Sequence, residues 1–304
     1  MELIASLFKL KDHKTSFRKE ILAGLATFLT MAYIMVVNPA ILSETGMDFD
    51  SVFVATILAS FVACMLMGIL ANWPVALAPG MGLNAFFTYA VVFGMGFSWQ
   101  QALAAVFCSG ILFLLISLSP LRAYLINAIP KSLKFGIGAG IGLFLAIIGL
   151  KNAGIVVDNP ATLVGLGDLK SAPVLLALLT FTLMIALDKL KIPGAIVISI
   201  LATTIVGFIL GVAQFQGIAS SIPSMSPTFL QLDFSSIGSS LFLIVVFTIL
   251  FVDFFDTAGT LTSVANLSGK IDKDGKVENI QKAVFSDSVA TIVGSIFGTS
   301  STTS

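Results

Sequence analysis

Between Asp50 and Arg122 the chain carries no charge: positions 51–121 contain no Asp, Glu, Lys, Arg or His. A fold in water cannot be built from such a stretch. A helix that crosses a bilayer takes about 20 apolar residues, so three spans fit here, and the rest of the chain continues in the same manner. Overall, hydrophobic residues make up 57% and charged residues 11%, where soluble domains carry roughly 25% charge. Lipid offers the backbone no hydrogen bonds, so spanning segments must satisfy their own polar groups. Function is therefore to be sought in the polar residues kept inside the membrane.

Several classes are excluded by composition. Net charge is zero, which leaves no basic footprint for nucleic acid. Cys64 and Cys108 both fall in apolar stretches and read as small packing residues, neither a disulfide nor a metal pair. His13 lies outside every span, so no His-based triad or metal site is expected in the membrane. The charged first 20 residues, followed by a long apolar run, predict no cleavable signal peptide. With Phe8, Leu10, Phe17 and several lysines, this segment suits the membrane surface.

Apolar runs predict spans near 21–42, 52–71, 77–96, 101–119, 132–150, 172–188, 192–212, 238–263 and 282–298, with a tenth starting at 299. Positive charge marks cytoplasmic loops. With the N-terminus inside, fourteen of the sixteen basic residues fall inside and only Lys151 and Lys170 outside. One misplaced span would scramble that division. The segment 121–130, with Arg122, Asn127 and Pro130, reads as a short interfacial helix. Seven spans precede the Ser- and Pro-rich outer loop 213–237. Because seven is odd, a second copy would insert upside down, and inverted repeats are a common plan for secondary transporters.

Two segments interrupt this pattern. In span three, Pro79, Gly80 and Gly82 crowd the sequence ALAPGMGLNAFFTY at 76–89. Pro removes a helical hydrogen bond and Gly weakens a helix. Residues 78–84 are thus expected to be extended or unwound, and 85–96 to form a half-helix whose N-terminus can bind a polar ligand. The second interruption is GTSSTTS at 298–304, whose hydroxyls compete for backbone hydrogen bonds. It occupies the third position of the second repeat, as span three does in the first.

Span eight carries FVDFFDTAGTLTSV at 251–264, after the apolar run Leu241–Val252. A carboxylate at such depth costs at least ~2.5–3.5 kcal/mol, so it persists only when paired, protonated or facing a polar cavity. Four-residue spacing puts Asp256 and Thr260 on one helix face and Asp253 and Thr257 on a neighbouring one. Asp256 is the functional candidate. Asp253 and Thr257 read as structural polar residues, with Asp253 bonding backbone or a Thr in the opposite break. Asp287 reads as a local residue near the inner surface, and Asn38 with Pro39 as the end of span one.

FRKEILAGLATFLTMAYIMVVNPAIL (17–42), APGMGLNAFFTY, FVDFFDTAGTL and TSSTTS, in this order, resemble the AzgA-like adenine/guanine/hypoxanthine permeases of the nucleobase–ascorbate transporter superfamily. The resemblance implies an all-α polytopic membrane protein with a seven-plus-seven inverted-repeat transporter fold. Short strands at spans three and ten would pair near the membrane centre, and this chain would be truncated after about nine spans. The implied domains are a core (1–120, spans one to four), a gate (121–237, spans five to seven) and the core continued (238–304). The implied substrate-binding residues are Asp256, Thr260, Asn84, Ala85, Phe86, Thr302 and Thr303, with Asn84, Ala85 and Phe86 at the strand-to-helix junction. A family carboxylate on span ten would lie beyond Ser304.

The expected function is import of a purine base, guanine, hypoxanthine or adenine, by alternating access of core against gate. The base is flat and rich in N–H donors and ring acceptors. An ionised Asp256 would accept its N–H groups, strand amides would meet its acceptors, and Phe86 or Phe87 would wall the ring. Asp256 is also the proton-coupling candidate, with H⁺ preferred over Na⁺. No cofactor, metal or nucleic acid is expected; the partners are the base, the proton, the lipid bilayer and, as in relatives that pair through the gate, a second copy. The location is the plasma membrane, multi-pass, with a cytoplasmic N-terminus. The alternatives are an anion or sulfate transporter of the same fold and a uracil or xanthine permease. An enzyme is disfavoured because Asp253 and Asp256 share one helix, whereas an intramembrane aspartyl protease needs its two aspartates on separate helices.

Overall fold

The computed structural model describes residues 8–11, 15–119, 131–214, 217, 221–268 and 279–304. The expected interfacial helix at 121–130 and His13 lie outside the described residues. Among the described residues the chain is predominantly helical. In order, it comprises α1 (Phe17–Met31), α2 (Ile34–Ser43), α3 (Phe49–Leu66), a π-helical turn (Met67–Ala71), β1 (Ala78–Pro79) and α4 (Met81–Ala85). A π-helix (Phe86–Gly94), α5 (Trp99–Leu118), α6 (Lys131–Asn152), β2 (Val156–Asn159) and β3 (Leu163–Leu166) follow. The chain closes with α7 (Ala172–Lys189), α8 (Ala195–Ile209), α9 (Ser240–Ser268), α10 (Ile280–Phe297) and β4 (Thr302–Thr303). Among the described residues five stretches are long and apolar enough to cross a bilayer: 17–43, 49–71, 99–118, 172–189 and 240–265.

The packing is inside-out relative to a soluble protein. Large apolar side chains such as Phe61, Leu115, Phe181 and Ile209 point outward. The buried face of α10 is made of Ala283, Ser286, Asp287, Ser288, Ala290, Thr291, Gly294 and Ser295, with Val284. Small residues let helix backbones approach closely where lipid removes the hydrophobic drive for association. Gly110 of α5 shows the result: a Cβ there would sit 2.8 Å from Ile292 Cγ1 of α10.

Two compact units divide the chain. One holds residues 1–20, 34–138 and 222–304, the other 21–33 and 139–221. In the first, α10 packs against α5, α3 and α9. One apolar cluster joins Leu42, Leu83, Phe87, Leu103, Phe242 and Ile249, and another joins Met67, Trp73, Phe113, Leu250, Phe254 and Leu261. In the second, α7 packs against α8, where the Thr180 and Thr203 hydroxyls lie 2.9 Å apart.

The structure differs from the sequence reading at four places. Span one is broken between Met31 and Ile34, and its halves belong to different units. Asn38–Pro39 does not end that span: α2 continues to Ser43 with Pro39 inside it. The unwound part of span three is shorter than 78–84, because the helix begins at Met81, directly after extended Gly80. Asn84, Ala85 and Phe86 consequently sit a turn into the helix and not at its junction with the strand. Between spans five and six, β2 and β3 form a hairpin in which Val156 opposes Leu166, and Asn159 Oδ1 accepts from Ala161 N at its turn.

The turn from α10 into β4 depends on Gly298. Its φ is +91°, the left-handed conformation that ends many helices. The Gly298 and Thr299 amides both donate to the Gly294 carbonyl, while Thr228 crowds the missing side chain, its Oγ1 2.7 Å from where a Cβ would lie. Left-handed backbone costs a residue with a Cβ about 1–2 kcal/mol. Gly298→Ala should therefore destabilise the protein by at least that amount, read as a lower thermal midpoint in detergent. An unchanged midpoint would contradict this account of the turn.

Candidate functional site

The two interruptions meet. β1 and β4 pair antiparallel, Ala78 opposite Thr303 and Pro79 opposite Thr302, and the Gly80 amide donates to the Ser301 carbonyl at 2.9 Å. The pairing answers the problem that each break creates, since backbone groups freed from a helix at membrane depth need partners. Gly80 makes the close approach possible, for a Cβ there would lie 2.7 Å from Thr303 Cγ2.

Behind the strands runs a buried polar network. Asn38 of α2 is fully buried. Its Nδ2 donates to Thr56 Oγ1 of α3 and to Thr299 Oγ1, both at 2.8 Å. Its Oδ1 accepts from Asn84 Nδ2 at 3.0 Å and from Ser300 Oγ at 3.3 Å. One amide thus ties both interruptions to α2 and α3. Sequence reasoning missed this residue because Asn-Pro is a common local turn signal, and its role appears only through distant partners. Asn84 is buried, and its Oδ1 has no hydrogen-bond partner among the described residues.

α9 presents its acids on two faces. Asp253 and Thr257 are buried, whereas Asp256 and Thr260 are partly exposed. Asp253 Oδ2 accepts from Thr291 Oγ1 at 2.8 Å and from Ser301 Oγ at 2.6 Å, joining α9 to α10 and to the second break. Thr257 donates to Asp287 Oδ2, and its oxygen lies 3.2 Å from Thr303 Oγ1. Asp287 is fully buried within this network; it is not the near-surface local residue read from sequence. Its four-residue spacing from Thr291 on α10 is the signal that places it on the same buried face. The Asp256 carboxylate makes no hydrogen bond to the described residues, and among them none of the three acids forms an ion pair.

The remaining expected site residues divide by accessibility. Thr302 and Thr303 lie on β4, buried, with Thr302 Oγ1 unpartnered. The Thr302 carbonyl accepts from Thr291 at 3.1 Å. Ala85 is buried. Phe86 is partly buried and packs on the apolar cluster that contains Phe87, which is 1% exposed. Phe87 is thus core, and Phe86 is the aromatic left with accessible surface. The paired strands and the helix that begins at Met81 lie beside the buried face of α9, and Asp256 stands on an adjacent, partly exposed face of the same helix.

These features define a polytopic helical membrane protein of a transporter fold. The transmembrane domain of the cyanobacterial bicarbonate transporter BicA shares it, with a TM-score of 0.61 over 95% of this chain and 75% of that one, at 15% identity. The chain belongs to the group described as the Permease family, which matches residues 18–304. It is 48% identical to the putative permease MJ0326 of Methanocaldococcus jannaschii over 100% of this chain and 70% of that one. It is 45% identical to the guanine/hypoxanthine permease PbuO of Bacillus subtilis, over 98% and 70%. With the adenine permease AdeP of Escherichia coli it shares 43%, over 99% and 68%. These relatives are permeases and not enzymes.

Asn38→Leu removes four hydrogen bonds at once. Each buried polar group left without a partner costs about 1–3 kcal/mol, so the variant should melt well below the parent protein in detergent. A midpoint equal to that of the parent would show that Asn38 does not hold the two interruptions.

Proposed function

We propose that this permease carries purine nucleobases into the cell, with guanine, hypoxanthine and adenine as the candidate substrates. The observation that carries the reading is the unpaired, partly exposed carboxylate of Asp256, one residue from the Thr257 that touches β4. A carboxylate at membrane depth is retained for a ligand or a proton. The relatives named for adenine and for guanine/hypoxanthine support the substrate class.

In this reading the base docks edge-on to Asp256, which accepts its N–H groups. Backbone amides at the start of α4 and along the strands meet its ring acceptors. Phe86 covers one face, and Thr260, Asn84, Ala85, Thr302 and Thr303 complete the site. The unpartnered Asn84 Oδ1 supplies a further acceptor. A second nucleobase permease reading, for uracil or xanthine, changes the base whose size and edge must be matched.

The wider reading follows the same lines. Residues 1–120 and 238–304 form the core and 121–237 the gate of a seven-plus-seven inverted-repeat transporter, and rocking of one against the other gives alternating access. The separation into two compact units supports a two-domain division. The charge bias of the loops supports a cytoplasmic N-terminus. Transport is coupled to H⁺, and the protein pairs through its gate.

Asp256→Asn in the full-length protein should abolish uptake of radiolabelled guanine, hypoxanthine and adenine in cells lacking their own purine permeases. Sulfate should not compete with the parent protein. Normal uptake by the variant would refute the binding role of Asp256, and competition by sulfate would favour an anion transporter.

A further inference from the structure

The residues ahead of α1 take no part in the site, yet they carry a dense positive charge. Between positions 9 and 19 the sequence has five basic residues, Lys9, Lys11, Lys14, Arg18 and Lys19, against one acid, Asp12. Where this arm is described, the protein holds it. Leu10 is buried. Asn72 follows the π-helical turn 67–71 in left-handed backbone, at φ +53°, and its Nδ2 donates to the Phe8 carbonyl at 3.1 Å. The Thr15 amide donates to the Leu10 carbonyl at 3.0 Å. The cations point the other way. Lys9 and Lys11, on either side of Leu10, are exposed, as are Arg18 and Lys19. None of these four forms an ion pair among the described residues. The Glu20 carboxylate is met by a hydroxyl, Thr15 Oγ1, at 2.6 Å.

Two spanning stretches set the level of the arm. It runs directly into 17–43, and its tether, Asn72, directly follows 49–71. One stretch begins and the other ends here, so the arm lies where the bilayer meets water. We propose that residues 8–19 are a docking arm for anionic phospholipid headgroups, held in place by Leu10 and Asn72 with their lysines and arginine turned to the lipid surface. The partner follows from charge complementarity. A juxtamembrane cluster of about four to eight Lys and Arg is drawn to an anionic leaflet, with a gain in binding of about fivefold for each residue seated there. An interfacial amphipathic helix sinks its apolar face among acyl chains. Here Leu10 gives its apolar surface to the protein, and what remains for the lipid is charge. The proposal does not depend on which base is carried. It takes the inner leaflet as the surface because the N-terminus is proposed above to be cytoplasmic.

The test is hydrogen–deuterium exchange on the full-length protein in nanodiscs, read over peptides that cover residues 8–20. One set of discs holds phosphatidylcholine alone and the other adds phosphatidylglycerol. Exchange should be slower in the anionic discs by about fivefold, the share of one seated cation. The difference should vanish at about 1 M salt, where the screening length is about 3 Å. A variant combining Lys9→Gln, Lys11→Gln, Arg18→Gln and Lys19→Gln should exchange alike in both lipids. Asn72→Gly keeps every charge and suits left-handed backbone, but it removes the tether, and most of the difference should be lost. Equal exchange of the parent protein in the two lipids overturns the proposal. So does a parental difference in the quadruple variant or in Asn72→Gly, and so does protection in neutral discs on adding inorganic phosphate, which would mark a soluble-anion site. A nanodisc presents the same lipid on both faces, so these outcomes are independent of orientation. Labelling of Ser16→Cys by an impermeant maleimide in intact cells overturns the inner-leaflet assignment, and protection from that label supports it.

Discussion

The structure turns on a demand that lipid makes of the backbone. A break in a membrane helix exposes amides and carbonyls that cannot turn to water, and here two breaks answer each other. β1 and β4 contribute only two residues apiece, yet they close the open backbone of both segments. Everything near the site is organised to hold that contact: Gly80 removes the side chain that would keep the strands apart, Gly298 turns α10 into β4, and Asn38 bonds to both interruptions from α2.

Holding a short strand pair in place requires polar side chains, and these are costly unless they satisfy one another. The network therefore consists of hydroxyls, amides and acids in reciprocal contact: Asn38 with Thr56, Thr299 and Asn84, Asp253 with Thr291 and Ser301, and Thr257 with Asp287. Among the described residues the buried side-chain atoms left unsatisfied are few, and three of them are on Asn84, Asp253 and Asp287. The apolar clusters around Leu83, Phe87 and Phe242 and around Phe113, Phe254 and Leu261 surround the network and keep its dielectric low, which strengthens its hydrogen bonds.

The division of labour on α9 comes from helical geometry. Asp253 and Asp256 are three residues apart, so they point along adjacent directions from one helix. The packing of α9 against α10 and β4 buries the first and leaves the second partly accessible. A four-residue step then gives each acid its own threonine. In the buried pair that threonine bridges to another helix, and in the accessible pair it stands beside the acid. The same sequence motif thus produces a buried anchor and a partly accessible acid.

Membrane embedding, the approximate spans, the two breaks and the two faces of α9, one with Asp253 and Thr257 and the other with Asp256 and Thr260, were legible in the sequence. Each rests on local quantities: apolar length, proline and glycine, and periodicity along one helix. The first break is shorter than its proline and glycines suggest, because the helix restarts at Met81 directly after Gly80. Only the tertiary structure revealed Asn38 as a hub, Asp287 as a buried acid and the bond partners of Asp253. Asn38 reaches Thr299 across 261 positions, and no local pattern encodes which hydroxyl will meet which amide. Hydrophobicity decided that the chain enters the bilayer, and the satisfaction of buried polar groups by distant partners decided what it can do there.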